Sequence, residues 1–289
     1  MGGNGGIVTV PWKTPREMGS VLAPALLVGL SVVGYAVGVA PKLLGISWVA
    51  FGAMAGAAIL GRRASHGSHA RGLVWGYGLA SGAMITSAAV FLLPDAIEHH
   101  RAFGGFGVAA GIVLGFSAHT IGHRLSHAGA AFEDTALRLS AHAFAAGAVI
   151  GVVYGAMPDL GPLLGLAIVS HKGPAGYAAA RRLTTRDKST LPLLVPAAGV
   201  GITAIPAALL SLPATGASSG LIFGFAAGMF LHVAMDFLPR CEIGGEIYEA
   251  AAIEDDSHAR LDRLRLHSVA STVLGGVAVF AAWLVVAGG

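Results

Sequence analysis

Apolar runs of similar length recur along the whole chain, at roughly 21–40, 43–61, 72–93, 104–123, 138–156, 161–180, 191–211, 217–238 and 267–287. Each matches the ~20 residues that cross ~30 Å of hydrocarbon at 1.5 Å per residue. The pattern predicts an all-α integral membrane protein, a polytopic bundle of about nine transmembrane helices. Between the first two runs the only punctuation is Pro41, Lys42 and Gly45. Residues 1–20 read as an N-terminal tail with Pro11, Lys13, Pro15, Arg16 and Glu17. They contain no short apolar core before a cleavage site, so no signal peptide is expected. Residues 21–289 read as one polytopic domain, whose longest inter-helix segment is the charged stretch 239–266.

Charge placement orients this array. With nine spans and the N-terminus inside, the cytoplasmic segments hold fifteen basic residues: Lys13, Arg16, Arg62, Arg63, Arg71, Arg124, Arg138, Arg181, Arg182, Arg186, Lys188, Arg240, Arg260, Arg263 and Arg265. The outer segments hold two, Lys42 and Arg101, and Lys172 falls within a span. Short cytoplasmic loops carry the Lys/Arg excess in membrane proteins, so the expected topology is N-in, C-out in the cell membrane.

Composition narrows the function. Only 11% of residues are charged, and 55% are hydrophobic before 43 glycines are added; an ordinary soluble domain carries about 25% charged residues. A soluble enzyme, a disordered chain and a nucleic-acid binder are excluded, since a scattered net charge of +3 makes no DNA-binding face. A single cysteine, Cys241, excludes an internal disulfide framework and any multi-cysteine metal site. Gly-x-x-x-Gly spacings recur at Gly72/Gly76, Gly78/Gly82, Gly107/Gly111/Gly115, Gly147/Gly151/Gly155, Gly161/Gly165 and Gly216/Gly220/Gly224/Gly228. Such small-residue stripes let helix backbones approach in lipid. Little mass lies outside the membrane, so function is expected between the helices, as transport or intramembrane chemistry.

Ionisable groups within spans are costly and mark functional sites. His142 lies in the fifth run, His171 and Lys172 midway along the sixth, and His232 in the eighth; Asp95, His119, His123 and Asp236 stand near span ends. Gly173 and Pro174, directly after Lys172, interrupt the helical hydrogen-bond ladder, as transporters do around binding sites. Imidazole suits Zn, Cu, Fe or Ni, so His142 and His171 are the candidate metal ligands. His232 and Asp236 are four apart and share a helix face, and His119, His123 and His127 repeat that spacing. These residues, with Asp95, read as an ion pathway or as solvated helix ends.

The order of motifs resembles the ZIP family of divalent-metal transporters. Leu92-Leu-Pro-Asp-Ala-Ile-Glu98 is similar to the family's Leu-Pro-Glu-Ala helix ending. His142 and the run His171-Lys-Gly-Pro-Ala-Gly176 stand where the family has His-Asn-x-Pro-Glu-Gly and His-Glu-x-Pro-(Glu/His)-Gly motifs. Gly228-Met-Phe-Leu-His-Val-Ala-Met-Asp-Phe-Leu-Pro239 is similar to Leu-Tyr-Val-Ala-Leu-Val-Asp-Leu-Leu-Pro. The resemblance covers roughly residues 45–289. It implies a homodimeric ZIP-like bundle in the lipid bilayer, working by alternating access on a transition-metal ion such as zinc or iron.

The departures are specific. The family's Asn, Pro and Glu positions are Ala143, Ala145 and Ala146 here, its acidic position after the second histidine is Lys172, and a later ligand position is Ala175. The carboxylates that bridge two metals in the family are therefore missing. The resemblance then implies a reduced site on His142 and His171, with Lys172 as a fixed charge in the second-ion position. A transport-inactive or differently selective ZIP-like protein is the alternative. An intramembrane metal enzyme is a further one, on His99-His100 and the His123-Arg-Leu-Ser-His127 box. The pair and the box lie on opposite sides of the expected topology, so a transporter rather than an enzyme is expected.

Overall fold

A computed structural model of the chain describes residues 15–63, 70–127, 134–156, 162, 165, 171–184, 186–210, 215–241, 247 and 257–287. Among the described residues there are ten α-helices and no strand: α1 (Pro15–Ala36), α2 (Pro41–Arg63), α3 (Ala70–Ser87), α4 (Leu93–His99), α5 (Arg101–His127), α6 (Asp134–Ala156), α7 (Lys172–Thr184), α8 (Leu194–Ala207), α9 (Gly216–Asp236) and α10 (Ser257–Ala287). A π-helical segment, Ala88–Leu92, joins α3 to α4.

Among the described residues, six helical stretches are long and apolar enough to cross a membrane: Gly19–Ala36, Pro41–Arg63, Ala70–His99, Thr135–Ala156, Gly216–Asp236 and Leu261–Val285. Two shorter apolar helices, Arg101–Ser117 and Leu191–Ala207, accompany them. The sequence pattern counts nine runs. The run 161–180 contributes only the thirteen-residue α7, because most of 157–170 lies outside the described residues. The run 191–211 gives α8 over Leu194–Ala207, preceded by a 3-10 turn at Leu191–Leu193 containing Pro192 and with Pro206 inside its last turn.

Local chemistry sets the joints. Gly38 ends α1 with φ of +90°. The Val39 N–H donates to the Gly34 carbonyl at 2.8 Å and the Gly38 N–H to that of Tyr35 at 3.2 Å, which is a Schellman stop requiring a left-handed residue. Pro41 then opens α2, where a missing N–H costs nothing. Pro94 explains the π segment. It has no N–H to offer the carbonyl of Val90, and its ring crowds that carbonyl. The helix widens just before it, and the Leu93 N–H reaches the Ala88 carbonyl five residues back. A capping box between Thr215 and Ser218 starts α9.

Small residues set the register of the tightest helix pairs. On α5 and α9, Gly104 faces Gly224, Gly111 faces Phe225 and Met229, and Gly115 faces His232. On α6 and α8, Gly147 faces Val200, Gly151 faces Ala204 and Gly155 faces Ala208. On α3 and α10, Gly78 faces Ser271 and Gly82 faces Thr272 and Gly276. Contact positions rise together in each pair, so all three pairs run parallel. The largest buried cluster joins Leu27, Leu43, Ile46, Ile150, Tyr154, Ile205, Phe223 and Phe230 across α1, α2, α6, α8 and α9. α7 is buried nearly all round, its small residues Ala175, Gly176, Ala178, Ala179 and Ala180 admitting its neighbours. By contrast α10 leaves Val269, Val273, Val277 and Val285 exposed, an apolar edge suited to lipid.

Candidate functional site

His142 stands two turns into α6, beside the buried Ala143 and Ala146. His171 directly precedes α7. Its carbonyl accepts the Ala175 N–H at 3.0 Å, the first helical bond of that element. Gly173 and Pro174 thus occupy the first turn of α7, where the absent proline N–H leaves no bond unmade. The Pro174 ring packs on Gly76 of α3.

These starts bring the two histidines together. Their ring centres are 5.5 Å apart and their planes are inclined at 73°. Phe237, the C-cap residue of α9, lies against both, at 4.7 Å from His171 and 5.6 Å from His142. Tyr77 of α3 backs Phe237 at 5.6 Å. His171 is 0% exposed and Lys172 2%, while His142 is half-buried. Four elements therefore bring together two imidazoles and two aromatic rings. Phe237 follows Asp236 directly in the sequence, and an aromatic residue in an apolar chain gives no sequence signal of a site.

The other expected residues lie elsewhere. His232 Nε2 is 3.2 Å from Asp236 Oδ2, so the pair expected from their spacing does form. It faces Gly115 of α5, about 140° around the helix from Phe237 at 100° per residue, and does not join the histidine site. Asp95 sits in the first turn of α4, with His99 Nδ1 bonded to its carbonyl at 2.8 Å. The carbonyl of His99 faces Gly216 at the start of α9, whereas the histidine site is at its end, ~30 Å away along 21 residues. His119 and His123 fall on α5, but their side chains, with that of His127, lie outside the described residues.

Among the described residues, no group of three or more His, Cys, Asp or Glu side chains is placed to hold a metal ion. The site offers two imidazoles. Neither the family models nor the curated proteins contain a match to this chain.

The stretch 239–266 is anchored to the same bundle. Cys241 and Ile247 are buried against Ala70 and Val74 of α3 and Leu261 and Leu264 of α10. Arg265 Nε donates to the Cys241 carbonyl at 3.3 Å, and Ser268 Oγ to that of Pro239 at 2.9 Å. The acidic residues Glu242, Glu246, Glu249, Glu254, Asp255 and Asp256 lie outside the described residues.

Proposed function

We propose that the chain is a multi-pass cell-membrane transporter of divalent transition-metal cations, zinc- or iron-like, working by alternating access on a reduced, ZIP-like site. The observation that carries this reading is the meeting of His142 and His171 at 5.5 Å between ring centres. Two imidazoles on one tetrahedral zinc, each nitrogen about 2.0–2.1 Å from the metal, set their ring centres about 5 Å apart. The pair already stands at that separation. Imidazole is a ligand for borderline metals and a poor one for Mg or Ca, which want oxygen.

Two protein ligands leave the remaining coordination positions to water. That is a weak site, and weak binding suits passage, since a cargo ion must leave as readily as it enters. Phe237 and Tyr77 wall the site with apolar surface. Lys172, buried beside His171, puts a basic group where a second cation would stand, which favours one ion over two. The fifteen-to-two division of basic residues supports an N-in, C-out arrangement of nine spans.

The test is uptake into proteoliposomes of Zn, Fe, Mn, Co, Ni and Cd by the wild type and by the double variant His142→Ala/His171→Ala. Uptake of at least one ion that the double variant loses is the expected result. A correctly folded wild type that moves none of these ions refutes the metal reading and leaves a transport-inactive bundle in its place.

A further inference from the structure

A second basic residue of α7 is buried, and the histidine site does not use it. Arg181 lies nine residues beyond Lys172 and so about 180° around the helix from it. It is 4% exposed, and its Nη1 atom is buried with no hydrogen-bond partner among the described residues. A guanidinium is charged at any working pH. On the same side of α7 as Arg181, about 20° and 60° around the helix from it, Pro174 and Ala178 pack on Gly76, Leu73 and Tyr77 of α3. The surroundings are thus apolar, and a permanent cation with an unmet donor in such a place is strongly disfavoured unless something pairs with it.

The excess of basic residues at this end does not explain it. Arg62, Arg63, Arg182 and Arg186 are exposed, where charge is solvated at little cost, and Arg181 is folded in. Among the carboxylates at this end whose side chains are described, none serves, Asp262 being bonded to Arg265. Asp236 is engaged with His232, and Asp187 is exposed in the turn after α7. A partner for this donor has to come from outside the described residues. The guanidinium fork matches the paired oxygens of a phosphate-type group, and the exposed arginines around the end of α2 and α7 raise the local concentration of multiply charged anions.

We propose that Arg181 is the seat of an oxyanion site, taking one phosphate-type group at the end of the bundle where α2 and α7 finish. The group comes from free phosphate or from the headgroup of an anionic phospholipid. This inference stands apart from metal transport, and either can fail without the other.

The experiment is thermal unfolding of the full-length protein in phosphate-free maltoside micelles, followed by intrinsic tryptophan fluorescence. Inorganic phosphate is added in one arm against sodium chloride at equal ionic strength, and phosphatidylglycerol in the other. The wild type is expected to show a saturable rise in Tm of several degrees in at least one arm. Arg182→Gln is expected to keep that rise. Arg181→Met is expected to lose it, and to unfold no lower than the wild type without anion, because it no longer buries an unmatched charge. Should Arg181→Met not fold, Arg181→Lys keeps the charge without the fork and is expected to need at least tenfold more ligand. A rise with phosphate identifies a free oxyanion site, and a rise with the lipid alone a headgroup site. No rise in either arm overturns the proposal, as does a rise that survives in Arg181→Met or is unweakened in Arg181→Lys.

Discussion

Three glycine-to-alanine substitutions on α5 separate packing from helix propensity. Each gains about 0.5–1 kcal/mol from replacing glycine within a helix. At Gly105 the added methyl meets nothing within 4 Å, so Gly105→Ala is expected to be stabilising by about that amount. At Gly115 the methyl meets the ring of His232, a side chain that can swing away at the expense of its contact with Asp236. That contact contributes about 0–1 kcal/mol, so Gly115→Ala is expected to be near neutral. At Gly111 the methyl meets the Phe225 carbonyl, the Met229 nitrogen and Gly228 Cα, all backbone of α9. No rotamer relieves that overlap, so the helices must separate, at a cost of about 1–3 kcal/mol. Gly111→Ala should therefore fall about 1–3 kcal/mol below Gly105→Ala once the shared propensity gain cancels. Thermal unfolding of the purified protein in maltoside, followed by circular dichroism at 222 nm, ranks the three. Equal stability of Gly111→Ala and Gly105→Ala would refute the α5–α9 register and the parallel pairing built on it.

Other consequences can be checked separately. Thr203 Oγ1 of α8 donates to the Phe144 carbonyl of α6 at 2.8 Å, so Thr203→Val is expected to destabilise by about 0.6–1 kcal/mol in the same assay, and no change would deny that bond. Cys241 is buried, and that burial pushes its thiol above the usual range against a smaller opposing effect of Arg265. The thiolate is the reactive form, so a maleimide at pH 7 should label native protein far more slowly than denatured protein, with the onset moved to higher pH than for a free thiol. The raised value favours the neutral, folded thiol, so this contribution to stability is full below the ordinary thiol range and is lost as pH rises from there through the raised value of the folded thiol. Rapid native labelling would contradict the packing of Cys241 against α3 and α10.

The helical, apolar character of the chain was legible because it is written in every 20-residue run. The meeting of His142 and His171 was less so, because it depends on how α6 and the start of α7 come together, which neither helix specifies alone. Gly173 and Pro174 were readable as an interruption, and the structure locates them in a first turn, where proline is tolerated. Gly38 was a missed stop signal: a glycine three residues before Pro41 is the usual end-and-restart pattern, here a Schellman turn. Phe237 and Arg181 escaped notice for opposite reasons. An aromatic residue in an apolar chain carries no signal, and one arginine in a basic cluster looks like its exposed neighbours until burial separates it.

The parallel pairs bear on the number of crossings. Two parallel helices in a bilayer must be separated in the chain by an odd number of crossings. α6 and α8 run parallel, so if both span the bilayer an odd number of crossings is required between Ala156 and Leu194. The run 161–180 is the apolar stretch available for a return crossing, although α7 is only its described end. The nine runs expected from the sequence keep the same parity for α5 and α9, with three expected crossings between them, and for α3 and α10, with five. Removing one crossing from the middle turns at least one of these pairs antiparallel, against the observed register, whereas removing two leaves the parity intact. Single cysteines in a Cys241→Ser background test the return crossing. Asp159→Cys and Arg186→Cys flank the return segment, so an impermeant maleimide should reach the first from outside intact cells and the second only after permeabilisation. Labelling of both from the same side would remove the return crossing and with it the nine-span topology.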